Sequence, residues 1–241
     1  MRTQARVVVI GGGVVGVSVL YHLTKAGWKD VLLIERAELT SGSTWHAAGG
    51  MHTVNGDPNV AKLQQYTIKL YEEIERISGQ SCGVHITGGL LLAGTPERLD
   101  WLKMAQARGR YLGMELELLS VKEVKKIYPL LDEAHFVGAI YDPIEGHVDP
   151  YGVTHAYAKS AQKAGAEIVR QTRVTDLKAR ADGSWDVITD HGNVHAEHVV
   201  NAAGLWAREV GRFVGLELPI LAMEHQYLIT EDLPELKGQK E

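Results

Sequence analysis

The first hydrophobic feature of the chain is an unbroken run, Val7-Val8-Val9-Ile10, that ends in three glycines. An apolar stretch of that length, opened by Arg6 and closed by turn residues, predicts a parallel strand over 6–10, buried on both faces. Residues 14–26 then take helical spacing. Val19, Leu20 and Leu23 fall close together on one side, and Gly27 offers a left-handed stop. A second run, Val31-Leu32-Leu33-Ile34, closes on Glu35 and completes a β-α-β unit of the ~30 residues such units occupy. Asp57-Pro58 supplies an N-cap and a first-turn proline for a helix reaching residue 77, ended by Gly79.

Beyond Gly79 the texture changes. Residues 84–93 read as a strand interrupted at Gly88-Gly89, and Thr95-Pro96 opens another helix. Ser120 and Glu123 form a capping box for a short helix to Tyr128, which Pro129 stops. A further strand is expected over 136–141. Asp149-Pro150 caps a helix to Ala164, with Gly165 as its terminator. There follow a strand at 167–170, a hairpin over 174–194 turning at Ala181-Asp182-Gly183-Ser184, an apolar strand at 198–201 and a helix over 205–214. Residues 223–230 alternate like one more strand. Helix–strand alternation resumes after Pro150, which predicts a discontinuous nucleotide domain (1–80 and 150–216). A mixed α+β substrate domain (81–149) is inserted in it, and residues 217–241 begin a return to that insert. The fold class is α/β, a Rossmann-like doubly wound parallel sheet with an insertion.

Candidate chemistry begins where the first strand ends. In Gly11-x-Gly13-x-x-Gly16 the first glycine permits a tight turn, the second lets a pyrophosphate approach the backbone, and the third lets helix pack on strand. The helix start adds free N–H groups and the positive end of a dipole. Glu35, 19 residues after Gly16, stands where a carboxylate accepts ribose hydroxyls, and it would repel a 2′-phosphate. This predicts FAD or NAD rather than NADP. Ser41-Gly42-Ser43-Thr44 is small and polar, as suits a loop beneath a pyrophosphate and a flavin. Val174 can bring a backbone to the adenine, and 199–204 form a second strand-to-glycine crossing.

Composition narrows the class further. With 45% hydrophobic and 23% charged residues and a net charge of −5, the chain reads as globular and lacks the clustered basic face of a nucleic-acid binder. No segment approaches the ~18 apolar residues of a membrane span. Cys82 is the only cysteine, so no internal disulfide forms and a reducing compartment is favoured. The short start before the first strand favours the cytoplasm, or the mitochondrial matrix if a transit peptide has been lost. His191 and His195 can share one face of a strand while His198 points away, so no metal site is expected.

These segments together resemble a known family. The order Gly11–Gly16, Glu35-Arg36, Ser41-Gly42-Ser43-Thr44-Trp45-His46-Ala47-Ala48-Gly49, Gly146-His147-Val148-Asp149-Pro150, Asn201-Ala202-Ala203-Gly204 and His225-Gln226-Tyr227 is similar to the dimethylglycine and sarcosine dehydrogenases. These are flavoproteins of the glycine-oxidase and D-amino-acid-oxidase type. The resemblance runs over essentially the whole chain, and Trp-His-Ala-Ala-Gly is its most specific part. It implies FAD, attached through the flavin 8α carbon to His46. A neutral imidazole is a suitable nucleophile for that electron-poor position. The FAD contacts it implies are Val14, Val15, Glu35, Arg36, Gly42, Ser43, Thr44, Trp45, His46, Ala47, Ala48, Gly49, Gly50, Val174 and Trp206.

The activity implied is oxidative N-demethylation of a small N-methyl amine, by hydride transfer from the methyl group to flavin N5. Water, or tetrahydrofolate in a full-length protein, would take the one-carbon unit, and an external acceptor would reoxidise the flavin. Family members are longer, which makes this chain an N-terminal part. His225 and Tyr227, spaced to share one face of a strand, are the catalytic candidates, with ordinary cross-strand packing as the alternative. A silent regulatory homologue and a non-functional gene fragment are the rival readings. Retention of His46 argues against the first.

Overall fold

The computed structural model describes residues 1–238, and the chain divides into two compact units, Met1–His46 with Ala161–Glu241, and Ala47–Ser160. The first is built on a six-stranded sheet. Its elements are β1 (Gln4–Ile10), α1 (Val14–Lys25) and β2 (Val31–Ile34), then, after the second unit, β8 (Glu167–Val169), β9 (Val174–Ala179), β10 (Trp185–Thr189), β11 (Gly192–Asn201) and α6 (Ala207–Arg212). The strand order is β8-β2-β1-β11-β10-β9, parallel across β8, β2, β1 and β11 and antiparallel from β11 to β9. Val8 lies beside Leu32 on one side and Val199 on the other. Val7, Val8, Val9 and Ile10 are all buried, which is the burial on both sheet faces that the unbroken apolar run predicts. Val8, Ile10, Leu32, Ile34, Val187, Val194 and Ala196 form one core. The buried face of α1 runs through Gly16, Val17, Leu20, Tyr21 and Thr24, turned from the Val19–Leu23 side that hydrophobicity alone suggested.

Two elements differ from the expectation. The hairpin and the strand at 198–201 merge into one ten-residue β11, because its first half pairs with β10 while residues from His195 onward pair with β1. Residues 223–230 form no strand and lie exposed. Alternation sets which side chains share a face, but a strand also needs a neighbour for its N–H and C=O groups. Among the described residues none pairs there, so His225 and Tyr227 share no strand face.

The second unit contains β3 (Gly50–Met51), α2 (Pro58–Ser78), β4 (Gly89–Ala93), α3 (Pro96–Tyr111), β5 (Glu117–Leu119), α4 (Val121–Ile127), β6 (Gly138–Asp142), β7 (Gly146–His147) and most of α5 (Pro150–Lys163). Strands β4-β6-β5 form an antiparallel sheet, and β3 pairs with β7. Leu102 of α3 packs with Ala93, Met114, Leu116 and Ile140, while Val124 of α4 packs with Leu131 and Ala139. Met104 of α3 is 65% exposed. The patterning put the breaks at residues 80 and 150, whereas α2 here belongs with the inserted unit. Its end is tied in by the Cys82 N–H donating to Glu75 (2.7 Å) and the Asp149 N–H donating to the Cys82 carbonyl (2.9 Å). The described part of 217–241, expected with the insert, groups with the first unit, and residues 239–241 lie outside the described residues.

The local stop and start signals operate as written. Gly79 ends α2 at φ +70°, and Ser120 and Glu123 complete a reciprocal capping box. Asp57 accepts from the N–H groups of Asn59 (2.7 Å) and Val60 (3.1 Å). Asp57→Ala should therefore lower stability by about 1 kcal/mol, read as a reduced urea midpoint with an unchanged slope.

Candidate cofactor-binding site

The site forms where the chain reverses its direction of travel across the sheet. From β1 the chain passes through α1 to β2 on one side, and β11 lies on the other. A crevice at the carboxyl ends of the strands is expected at such a switch. Three backbone segments meet there. The Gly11 N–H donates to Ile34 O and the Ala202 N–H to Ile10 O, both at 2.9 Å. Gly11 takes φ +113°, and a Cβ on it would stand 2.4 Å from the Ala202 carbonyl oxygen. A Cβ on Gly16 would stand 1.9 Å from the Gly11 carbonyl oxygen. Neither position can carry a side chain without moving backbone.

Gly13 is the N-cap of α1 and has no side chain to close it, and the first turn holds no acidic residue. The Val14 N–H donates to Thr44 Oγ1 at 3.0 Å. Those of Val15 and Gly16 have no acceptor within the helix, so the positive helix end faces the crevice. Val14 is half-buried and Val15 exposed at this rim. A glycine-walled cradle with outward N–H groups fits a pyrophosphate, which supplies acceptors and no donors.

Glu35 is buried, and both its oxygens are engaged. Oε2 accepts the Gly12 N–H at 2.6 Å and Oε1 the Ala37 N–H at 2.8 Å. Each oxygen keeps a further lone pair for a ribose hydroxyl. Glu35 thus braces the glycine loop and keeps acceptor capacity to spare. Thr40, at φ +72°, ties its N–H to the Gly12 carbonyl (3.1 Å) and directs the chain into the Ser41-Gly42-Ser43-Thr44 loop. The Arg36 guanidinium lies 3.7 Å above the Trp206 ring, and Gly42 abuts the edge of that ring. Val174 turns its side chain into the core and has only its backbone for a ligand.

Residues Thr44–His46 form a 3-10 turn. His46 Nδ1 lies 3.2 Å from the Gly42 carbonyl oxygen. A carbonyl only accepts, so Nδ1 donates this bond, which leaves Nε2 as the ring nitrogen outside it on an exposed residue. The Trp45 ring sits 4.0 Å from the imidazole. Ser43 is exposed in the loop. Ala47, Ala48, Gly49 and Gly50 fall in the second unit, where Gly49 takes φ +77° with its α-carbon against the Val148 carbonyl, and Gly50 pairs with His147.

Residues 6–241 match the family described as FAD dependent oxidoreductase. The chain belongs to that family. It is 45% identical to human mitochondrial dimethylglycine dehydrogenase over 99% of its own length and 28% of that protein's. It is 37% identical to human mitochondrial sarcosine dehydrogenase over 96% and 26% of the respective lengths. Among solved structures, the L-proline dehydrogenase of P. horikoshii superposes with a TM-score of 0.84 at 28% identity, covering 92% of this chain and 58% of that one. The chain therefore spans about a quarter of the curated dehydrogenases it matches.

In this member of the FAD dependent oxidoreductase family no bond among the described residues joins the remaining candidates to the glycine loop. His225 and Tyr227 stand in the exposed segment after α6. His191 pairs with Asp190 (2.9 Å), His195 faces Asp186 (3.9 Å), and His198 meets the Trp28 ring. No helix among the described residues is long and apolar enough to cross a membrane. Sequence reading did not anticipate the bracing by Thr40, Thr44 and Glu35, since these bonds join residues 23–30 positions apart. Glu35→Ala should leave two backbone N–H groups without acceptors and lower the stability of the FAD-free protein by about 1–3 kcal/mol, with FAD affinity falling by roughly tenfold or more. Urea unfolding without FAD separates the two effects. An unchanged midpoint would assign Glu35 to the ribose alone.

Proposed function

We propose that this chain is the FAD-binding part of an enzyme that oxidises a small N-methyl amine, dimethylglycine or sarcosine, with the flavin attached to His46. The observation that carries the reading is the state of His46. It stands in a tight turn directly after the loop that caps α1, with Nδ1–H held by the Gly42 carbonyl and Nε2 open. The likeness to the two dehydrogenases over nearly the whole chain supports the substrate class.

The residues would share the work as follows. Gly11, Gly13 and Gly16 leave space for the pyrophosphate, and the N–H groups at the start of α1 meet its charge. Glu35 takes the ribose. Arg36 and Trp206 form a flat wall beside the Gly42 loop, and the backbone at Val174 serves the adenine. FAD supplies a two-electron acceptor for the hydride that leaves the N-methyl carbon. Loss of that hydride leaves a substrate iminium, whose carbon passes to water or, in a longer protein, to tetrahydrofolate. An external acceptor removes the electrons. His225 and Tyr227 are proposed to orient the amine or its carboxylate once their segment is paired.

Acid precipitation of the purified protein should leave yellow colour in the pellet, and His46→Ala should release it to the supernatant. Equal release from both would overturn the attachment. Anaerobic mixing with dimethylglycine or sarcosine should bleach the visible flavin absorbance. Bound flavin that no N-methyl amine bleaches would favour a silent homologue.

A further inference from the structure

Helix α3 carries more apolar surface than its packing in the core uses. Leu102 packs on Ala93 of β4 and Ile140 of β6, and Gly109 is pressed against Leu116, where a Cβ would stand 2.5 Å from Leu116 Cδ1. Trp101, Met104, Ala105, Arg108 and Leu112 follow a separate line, at the three- and four-residue steps that keep side chains on one side of a helix. Across from that line stand Val54, Asn55 and Gly56, together with Met114 and Leu116. The space between them is a cavity of about 250 Å³, lined wholly by residues of the inserted unit.

The walls are held by bonds of their own. Gln106 Nε2 donates to the Leu116 carbonyl at 2.8 Å, and the Met114 N–H donates to the Gly109 carbonyl at 2.9 Å. Asn55 Oδ1 accepts the Asp57 N–H at 2.9 Å, which leaves the Nδ2 donor of that amide unspent. The charges are distributed unevenly along α3. Lys103 is paired with Asp100, Arg110 donates to Gln106, and the Arg98 guanidinium lies 4.1 Å over the Trp101 ring. Arg108 lines the cavity, and among the described residues its guanidinium meets no carboxylate and no other acceptor. No lining residue is acidic. Asp57, next along the chain from Gly56, spends its Oδ1 on two N–H groups of α2.

Folding does not call for this surface, since Trp101 and Met104 are left exposed beside an unfilled hollow. Apolar walls with a few converging donors are the form of a small-molecule site. An apolar cavity of about 150 Å³ takes a benzene ring, so this one has room for a two-ring body. An indole face and two thioether sulfurs favour an aromatic occupant. A guanidinium without a partner matches the two oxygens of a carboxylate. We infer that this cavity binds an aromatic carboxylate, its rings against Trp101, Met104 and Met114 and its carboxylate on Arg108, with the Asn55 amide as a second donor. The inference goes beyond the proposed amine oxidation and does not rest on it. Three segments wall the space, which suits a small molecule better than a helix or strand of another chain.

The test labels the methyl carbons of the five methionines with carbon-13 and titrates the FAD-loaded protein with 2-naphthoate. Ring-current shifts should move the Met104 and Met114 signals along one saturable curve and leave Met1, Met51 and Met223 in place. Arg108→Gln should weaken 2-naphthoate about tenfold or more, and leave binding of the neutral 2-naphthalenemethanol unchanged. Ala105→Phe, which places a ring in the cavity, should abolish both. If that variant does not fold, Arg108→Gln at its exposed helical position decides alone. Shifts at the other three methionines instead, equal 2-naphthoate affinity in Arg108→Gln, or no saturable shift at millimolar ligand would overturn the inference. A loss that the neutral alcohol shares would overturn it as well. So would sedimentation as a dimer in which 2-naphthoate leaves Met104 and Met114 unmoved, a result that would give the stripe to a second copy of the chain.

Discussion

Close backbone contact at the end of β1 is the constraint on which the nucleotide unit depends. Gly11 and Gly16 are near in sequence and Ala202 comes from the far end of the unit, and the Gly11 backbone meets both the Gly16 α-carbon and the Ala202 carbonyl with no side chain between. That contact sets the distance of α1 from the sheet and the position of β11 beside β1. A one-carbon addition at Gly16 would collide with a carbonyl oxygen, for which a packed interior has no relief. Gly13 at the N-cap brings no side chain to close the helix start, so its charge is felt by whatever lies in the crevice.

The inserted unit solves a different problem, the burial of acidic groups. Glu145 and Asp142 are nearly inaccessible and lie close together. Buried carboxylates are tolerated where hydrogen bonds replace water. Here the donors come from Thr53, Val54 and Ile144, main-chain groups of two loops, with the Thr53 hydroxyl and the His52 imidazole added. The nucleotide unit holds its Glu35 in the same manner, with two backbone N–H groups.

What was legible in the sequence was local. Asp57, Gly79, Ser120 and Glu123 act within a few positions of themselves, and their caps form as read. The β-α-β unit with its glycines and Glu35 is nearly as local, and it carried the cofactor class. What depends on distant neighbours was not legible. The continuity of β11 is set by β1, nearly two hundred residues earlier. Glu145 looks like part of an exposed turn, and its burial is decided by Thr53, 92 residues away. Met104 sits on a helix whose buried positions are only Leu102 and Gly109, so an apolar residue there had no pattern to mark it as exposed. Residues 223–230 carry the alternation of a strand and lack the partner that would make one.

The Trp-His-Ala-Ala-Gly segment has a consequence for how such a protein can be recombined. Its first half answers to the nucleotide unit, through the turn that ties His46 to Gly42. Its last residue answers to the insert, since a Cβ on Gly49 would lie 2.1 Å from the Val148 carbonyl oxygen. The division between the two units falls inside the segment, at His46 and Ala47. A chimera joined anywhere within these five residues would inherit half of each requirement. The segment can be transplanted only together with both of its hosts, so this motif behaves as a hinge of ancestry and not as a portable module.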